Sequence, residues 1–337
     1  MFGLVLFVTE NMITSFGVAK PHKKHKYKKI SKVSISDNFK DIYHYIETRY
    51  ANELEVTRKK LIKSIIICLI LFIIGFLLFL VLKANLKIHT KKGAVILAIP
   101  FIPLLIYYNY KYKKYNDIYI KNYKDKIIRN FVKYINHNLN YHQYAGKNLL
   151  SYYLDAKFDD NKFNKFVTDD YIDGYNENGT SIQMCNIALE NVNNKGEFLN
   201  MVYEGIFSAT KLNSYLTDEI RIQTHEYGFN NNYNRVKMDS TDFEKYFDVY
   251  CNSKILAMEI LTHDIMEELL YFYNTYKIKF EIVLKNNNIY IRFNTGVMFE
   301  PNILKKSNDM KTLWIYYNVL KFVATVTIKI NKFSKIL

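Results

Sequence analysis

A chain of 337 residues has room for one or two domains, and its 11 Gly and 4 Pro against abundant Lys, Asn, Ile, Tyr and Phe carry the skew of an A+T-rich coding background. The net charge of +15 is unevenly spread: residues 1–126 hold 23 Lys and Arg against 8 Asp and Glu, while 127–337 hold 24 of each. A protein that neutralises nucleic-acid phosphates needs its basic face on the domain that binds, so a charge-neutral C-terminal part argues for no nucleic acid as partner.

Met1 to Val8 is apolar but lacks a positive leading region and is interrupted by Glu10 and Asn11, so it reads as an irregular start, with Met12 an alternative initiator, and not as a cleaved signal. Residues 1–36 read as a disordered basic tail, because Lys20, Lys23, Lys24, Lys26, Lys28, Lys29 and Lys32 crowd one stretch with His22 and His25. A juxtamembrane amphipathic helix is expected over 37–60, capped by Ser36 or Asp37, with Phe39, Ile42, Tyr43, Ile46 and Tyr50 along one face.

Residues 61–110 read as a two-helix transmembrane hairpin. Arg58, Lys59, Lys60 and Lys63 mark a membrane interface, and Ser64–Leu82 then runs 19 residues without a charge. At about 1.5 Å per residue that length matches a hydrocarbon core of roughly 30 Å. The second span, Gly93–Tyr110, is kinked by Pro100 and Pro103 and ends in an aromatic belt of Tyr107, Tyr108, Tyr110 and Tyr112, followed by Lys111, Lys113 and Lys114. Lys83–Lys92 suffices only for a turn, so both ends emerge on one side. Ten Lys and Arg flank the spans there (58, 59, 60, 63, 111, 113, 114, 121, 124, 126) against four in the turn, which places both termini in the cytoplasm under a plasma membrane. Anionic lipid head groups are the expected partner of the basic collar.

Residues 111–150 read as a membrane-proximal region with a helix over Ile118–Leu139, and 155–180 as polar loop with short helices. Residues 151–300 form the expected cytosolic α+β domain. Near-alternating strands are predicted over Ser181–Leu189, Phe198–Leu212, Glu219–Thr224 and Arg235–Met238, then a helix over His263–Tyr276 capped by Thr262. A hairpin follows: Ile278, Phe280, Ile282 and Leu284 alternate up to an Asn286–Asn288 turn, and Ile289, Ile291 and Phe293 alternate back. The basic segment 301–337 reads as a helix over Asp309–Lys332 around Leu313, Trp314, Tyr317 and Leu320, although Val323–Ile330 also suits a strand. The fold class expected is thus α+β: the hairpin in the membrane, then a mixed, mostly antiparallel sheet with flanking helices.

The blocks FEKYFDVYCNSKILAMEILTHDIMEELL, KIKFEIVLKNNNIYIRF and MFEP, the earlier YEGIFSATKL, and the YIDG of Tyr171–Gly174 resemble a bacterial membrane-protein family catalogued as domain-of-unknown-function family 3137. The resemblance covers about residues 40–330 and is most specific over Phe243–Pro301. It implies a helix, two spans and a cytosolic α+β domain, with Asp173, Gly174, Gly205, Phe207, Phe243, Phe247 and Leu261 as structural motif positions, and no activity. The longer N-terminal extension and the 155–170 region depart from the family pattern.

Chemistry is sparse. Cys68 falls inside the first apolar span, and Cys185 and Cys251 have no CxxC partner or nearby histidine, so buried thiols are expected for those two. The pairs His22/His25 and His137/His142 lack the helical spacing and acidic partner of a zinc site. No GxGxxG, GxxxxGK[ST], GxSxG or HExxH occurs. Asp159/Asp160 and Asp169/Asp170 are paired carboxylates of the kind acid–base chemistry uses, in a stretch expected to be solvated loop. Gly174 suits a turn, and Gly205 a close backbone approach within a strand. No catalytic, cofactor or metal residue is assigned. The favoured reading is a noncatalytic binding or scaffold module at the inner membrane surface, with lipid and an unknown protein or a second copy as partners. The alternative is a membrane-tethered enzyme using the carboxylates of 155–175. Transport is disfavoured, because the spans carry no intramembrane charge.

Overall fold

The structure, a computed structural model, describes residues 37–85, 102–144, 146, 149–158, 162–176, 179–227 and 234–334. The basic tail 1–36, residues 86–101 with most of the expected turn and the first half of Gly93–Tyr110, and Asp159/Asp160 lie outside them. The chain divides into two units: among the described residues one holds Glu47–Tyr123 and Pro301–Ser307, and the other holds Asp37–Ile46, Lys124–Glu300 and 308–334.

In the first unit, helix α2 (Asn52–Asn85) carries the uncharged run. Ten of its large apolar side chains between Ile66 and Val81 are about half exposed and share one broad face, while Ile67, Leu71 and Gly75 on the other side are partly or fully buried. Helix α3 (Ile102–Tyr123) is the second element, and only its first residues coincide with the expected second span. Gly75 is buried between exposed neighbours.

The second unit is a single sheet with helices on both faces. Its strands are β1 (Leu139–His142), β2 (Lys165–Tyr175), β3 (Ser181–Val192), β4 (Phe198–Lys211), β5 (Ile220–Thr224), β6 (Arg235–Val236), β7 (Phe247–Tyr250), β8 (Phe280–Lys285) and β9 (Asn288–Phe293). They lie in the order β1-β2-β3-β4-β9-β8-β5-β7-β6, and every pairing among the described residues is antiparallel. The β8–β9 hairpin turns through Asn286 (φ 54°), a left-handed position that Asn tolerates. Both faces of these two strands are buried, which explains apolar residues at positions that simple alternation leaves to solvent.

One face packs on α5 (Leu149–Ala156): Tyr153 meets Phe207 edge-on, and Cys185, Leu189, Val283 and Tyr290 complete that layer. The other face meets α8 (His263–Tyr276) and α9 (Met310–Ser334), where Phe272, Phe280, Phe293 and Phe322 form an aromatic core. Short helices α6 (Thr241–Glu244) and α7 (Lys254–Ile260) are capped by Ser240 and Ser253. Helix α1 (Asp37–Ile46) buries Phe39, Ile42 and Ile46, and sets Phe39 against Trp314 and Tyr317 of α9. Helix α9 is long and apolar enough to cross a membrane but mostly buried within its own unit, so the basic C-terminal segment is a core helix.

Several expectations need correction. The polar 155–180 stretch contains β2, because pairing with β3 along nearly its whole length, and with β1 at its end, outweighs the low strand propensity of its Asp residues. Leu139 starts β1, and the helix expected to reach it stops at Ile135. Gly174 is a strand residue (φ 145°), not a turn: a Cβ there would lie 2.1 Å from the Asn138 carbonyl oxygen. Thr262 occupies the cap position of α8, but its side chain makes no capping bond.

Candidate functional site

The densest chemistry gathers around Lys124. Its position follows from a π-helical turn, Lys124–Ile128, that joins α3 to α4 (Arg129–Ile135). The wide turn directs Lys124, Ile127 and Ile128 inward together, while the Asn130 amide donates to the carbonyls of Asp125 and Lys126. Lys124 is 1% exposed, and its ammonium donates to Asp169 Oδ2 at 2.7 Å and to Asp170 Oδ2 at 3.0 Å, and pairs with Glu300.

Each acid is delivered by a backbone irregularity. Between Asp169 and Ile172 the β2–β3 register shifts by a bulge, and Asp170 adopts a left-handed conformation (φ 56°) that turns its carboxylate into the interior. Glu300 follows Phe299, itself left-handed (φ 65°), which is rare for an aromatic residue, with its ring buried edge-on to Tyr316. Asp170 is fully buried and accepts from Tyr141 Oη, from Asn186 Nδ2 at 3.0 Å and from Lys124. Asn186 also bridges to the backbone of Met298, with bonds of 2.7 Å and 3.1 Å, tying the strand that carries Asn186 to the segment that carries Glu300.

Three carboxyls around one ammonium leave a surplus of negative charge, and two of them are held above the ordinary carboxylate range. Burial pushes Asp170 up to about 7; the Lys124 charge opposes this and the Asp169 charge adds to it. Burial also raises Glu300, opposed by Lys124 and reinforced by the adjacent Asp169. Burial alone would lower Lys124, but Asp170 and Glu300 outweigh it and the ammonium stays charged. Asp169 Oδ1 is buried without a hydrogen-bond donor among the described residues. Carboxylate oxygens of Asp169, Asp170 and Glu300 lie within 4.8 Å of one another, a spacing a metal ion can bridge, but Lys124 Nζ already contacts all three.

A second ionic network lies under α5. Arg292 grips Glu281 with two bonds of 2.9 Å and 2.8 Å, donates to Tyr153 Oη at 3.0 Å and stacks over Phe158, while Arg221 donates to Glu219 at 2.6 Å and to the Ala156 carbonyl at 2.7 Å. These contacts fasten α5 to the sheet. A cavity of about 350 Å³ lined by Lys133–Asn138 has no carboxylate in its lining and gathers no convergent acid–base pair.

Of the carboxylates read from sequence, Asp169 and Asp170 join the cluster, whereas Asp173 pairs with His142 at 3.0 Å on the exposed rim. Lys124 counts by sequence with the membrane-flanking lysines; its burial removes it from that count. Arg58 is also not a free interface charge, since it binds Glu55 at 2.6 Å and the Ile303 carbonyl at 2.7 Å. Lys59, Lys60, Lys63, Lys113 and Lys114 are exposed; Tyr107, also exposed, lies 4.6 Å under the Lys111 ammonium, and Tyr110 is exposed, while the Tyr108 side chain lies outside the described residues. Among the motif positions, Phe207, Phe243, Phe247 and Leu261 are buried, and Phe243 stacks on Phe247 at 4.7 Å. Gly205 faces the Phe293 carbonyl oxygen, 2.0 Å from where a Cβ would stand.

Residues 201–332 match a family model described as "Protein of unknown function (DUF3137)". The match includes Glu300 and stops short of Lys124 and Asp170. No curated protein matches the chain. Among solved structures, the crystal structure of the mycobacterial trehalose monomycolate transport factor A, TtfA, is similar at 8% identity over 60% of this chain and 94% of that one, with a TM-score of 0.33. A likeness of that degree carries no functional content.

Proposed function

We propose that the protein is a membrane-anchored, noncatalytic binding or scaffold module, held by a two-span hairpin with both termini and the α+β unit on the cytoplasmic side. The observation that carries the reading is α2: Leu69, Ile73, Phe76, Leu77 and Val81 are each about half exposed on a helix whose uncharged run has no polar stripe to turn towards water. Leaving that much apolar surface in water is unfavourable at about 25 cal/mol per Å², and a bilayer removes the penalty.

The noncatalytic part rests on how far the Lys124 cluster is satisfied, Asp169 Oδ1 apart. In the Lys124 cluster the ammonium is already committed to three acids, and Asp170 already accepts from Tyr141, Asn186 and Lys124. Such a set holds three chain segments in register. Convergence of Asp169, Asp170 and Glu300 favours one second reading, an enzyme acting through those carboxyls. Crosslinking in native membranes followed by purification of the full chain tests the module: a stoichiometric protein partner lost on surface substitution and kept in Asp169→Asn supports it. Recovery of the chain alone, with a turnover abolished by Asp169→Asn, supports the enzyme.

A further inference from the structure

We propose that the Pro301–Ser307 loop is a second, peripheral contact with the bilayer, placing Leu304 among the head groups and Lys305 and Lys306 against anionic lipid phosphates. This rests on the reading that α2 enters the membrane, and it assigns lipid contact to a segment far from the span in sequence.

The loop is a built turn. The Asn302 side chain accepts from the Leu304 amide at 2.9 Å, and the Lys305 amide donates to the Asn302 carbonyl at 3.0 Å. Its base is strapped to α2, where Arg58 donates to the Ile303 carbonyl at 2.7 Å while Glu55 holds the same guanidinium through two bonds of 2.8 Å and 2.6 Å. Ser307 is buried at the far end. An ordered turn therefore holds Leu304 outward, and at 90% exposure it is the most exposed large apolar side chain among the described residues.

Position and charge name the occupant. Arg58 precedes Ser64, the first residue of the uncharged run, by six residues, or about 9 Å along the helix axis. A head-group layer is about 5–8 Å deep on each side of the hydrocarbon, so the strap lies at its outer edge. Lys305 and Lys306 are exposed in the loop, and Lys59, Lys60 and Lys63 are exposed on α2 over the same turns. Glu55 on that stretch of α2 is bound by Arg58 and also faces the charges of Lys59 and Lys306, so basic groups outnumber it there. An apolar tip flanked by lysines, continuous with an exposed apolar helix, is the composition of an interfacial lipid contact.

The test uses the full chain in vesicles of phosphatidylcholine with about 30% phosphatidylglycerol, an anionic fraction high enough to attract lysines, carrying Leu304→Trp, with the unsubstituted parent and its single Trp314 as baseline. Brominated phosphatidylglycerol is expected to quench the added emission more than brominated phosphatidylcholine at equal mole fraction. Replacing both Lys305 and Lys306 by Gln is expected to lower that ratio towards the level set by Lys59, Lys60 and Lys63, and a ratio that does not change rejects the lysine contact. Each lysine near an anionic surface is worth about fivefold in local lipid enrichment. Added emission that is quenched by aqueous iodide and unaffected by either brominated lipid overturns the proposal. Alkaline extraction of the same samples separates the two readings: retained protein with a water-exposed introduced indole rejects the loop contact alone, whereas released protein rejects the anchor as well.

Discussion

Replacing Lys124 by Met removes the ammonium that three acids share while keeping the length of the side chain. Lys124 is 1% exposed and Asp170 is fully buried, so solvent cannot replace the lost charge. Removing one partner of a buried ion pair costs about 3–5 kcal/mol, because the other charge is left uncompensated. The upper part of that range applies where the remaining acids stay ionised; proton uptake by Asp170, already pushed to about 7 with burial as the main cause, relieves part of it. The expected loss at pH 7 is therefore about 3 kcal/mol, shrinking as pH falls towards about 5. Guanidinium unfolding of the detergent-solubilised full chain measures it, with Trp314 as reporter because that ring is buried against Phe39 and Tyr317 in the same unit. The double variant with Asp170→Asn is expected to recover more than about 1 kcal/mol, since an amide needs no counter-charge. A loss below about 1 kcal/mol at pH 7 with no dependence on pH refutes the reasoning, because it describes an exposed ion pair.

Asp170 has a pKa raised above its unfolded value, so its contribution is fully present below about pH 4 and is lost as pH rises through about 7. The difference of about 3 pH units corresponds to roughly 4 kcal/mol, and Asp170→Asn is expected to flatten the stability–pH curve between about pH 4 and 8. A slope that survives the substitution assigns it to another group. Gly205→Ala is expected to cost at least about 3 kcal/mol, because the added methyl meets the Phe293 backbone oxygen, which cannot yield without parting β4 from β9; chemical denaturation measures the loss. Phe207→Ala, at the centre of the layer under α5, should cost about 3–5 kcal/mol by the same assay, and a value under about 1 kcal/mol would mean that the layer is loosely packed.

The parts of the fold that are legible in the sequence are those where local pattern and tertiary packing agree. Helix α8 begins and ends where its apolar spacing puts it, and the β8–β9 hairpin turns at its asparagines. The site is half legible. Asp169 and Asp170 stand out as a pair, but β2 is hidden because a Thr-Asp-Asp core has poor strand propensity and its hydrogen bonds come from β3 and β1, which no local window contains. Lys124 looks like one more membrane-flanking lysine, since its burial depends on a π turn that leaves no sequence mark. Glu300 sits inside the MFEP block, visible as a resemblance and silent as chemistry, because the left-handed Phe299 that aims it is not a residue type that signals positive φ.

Alkaline carbonate extraction of native membranes carrying the full-length protein tests the anchor most directly. With Ile66–Val81 in the bilayer the chain is expected to stay in the pellet at about pH 11, and Ile70→Arg with Ile73→Arg to move a substantial part of it to the supernatant. Quantitative release of the unaltered chain would contradict the account, for it would mean that the exposed face of α2 is covered by protein and not by lipid.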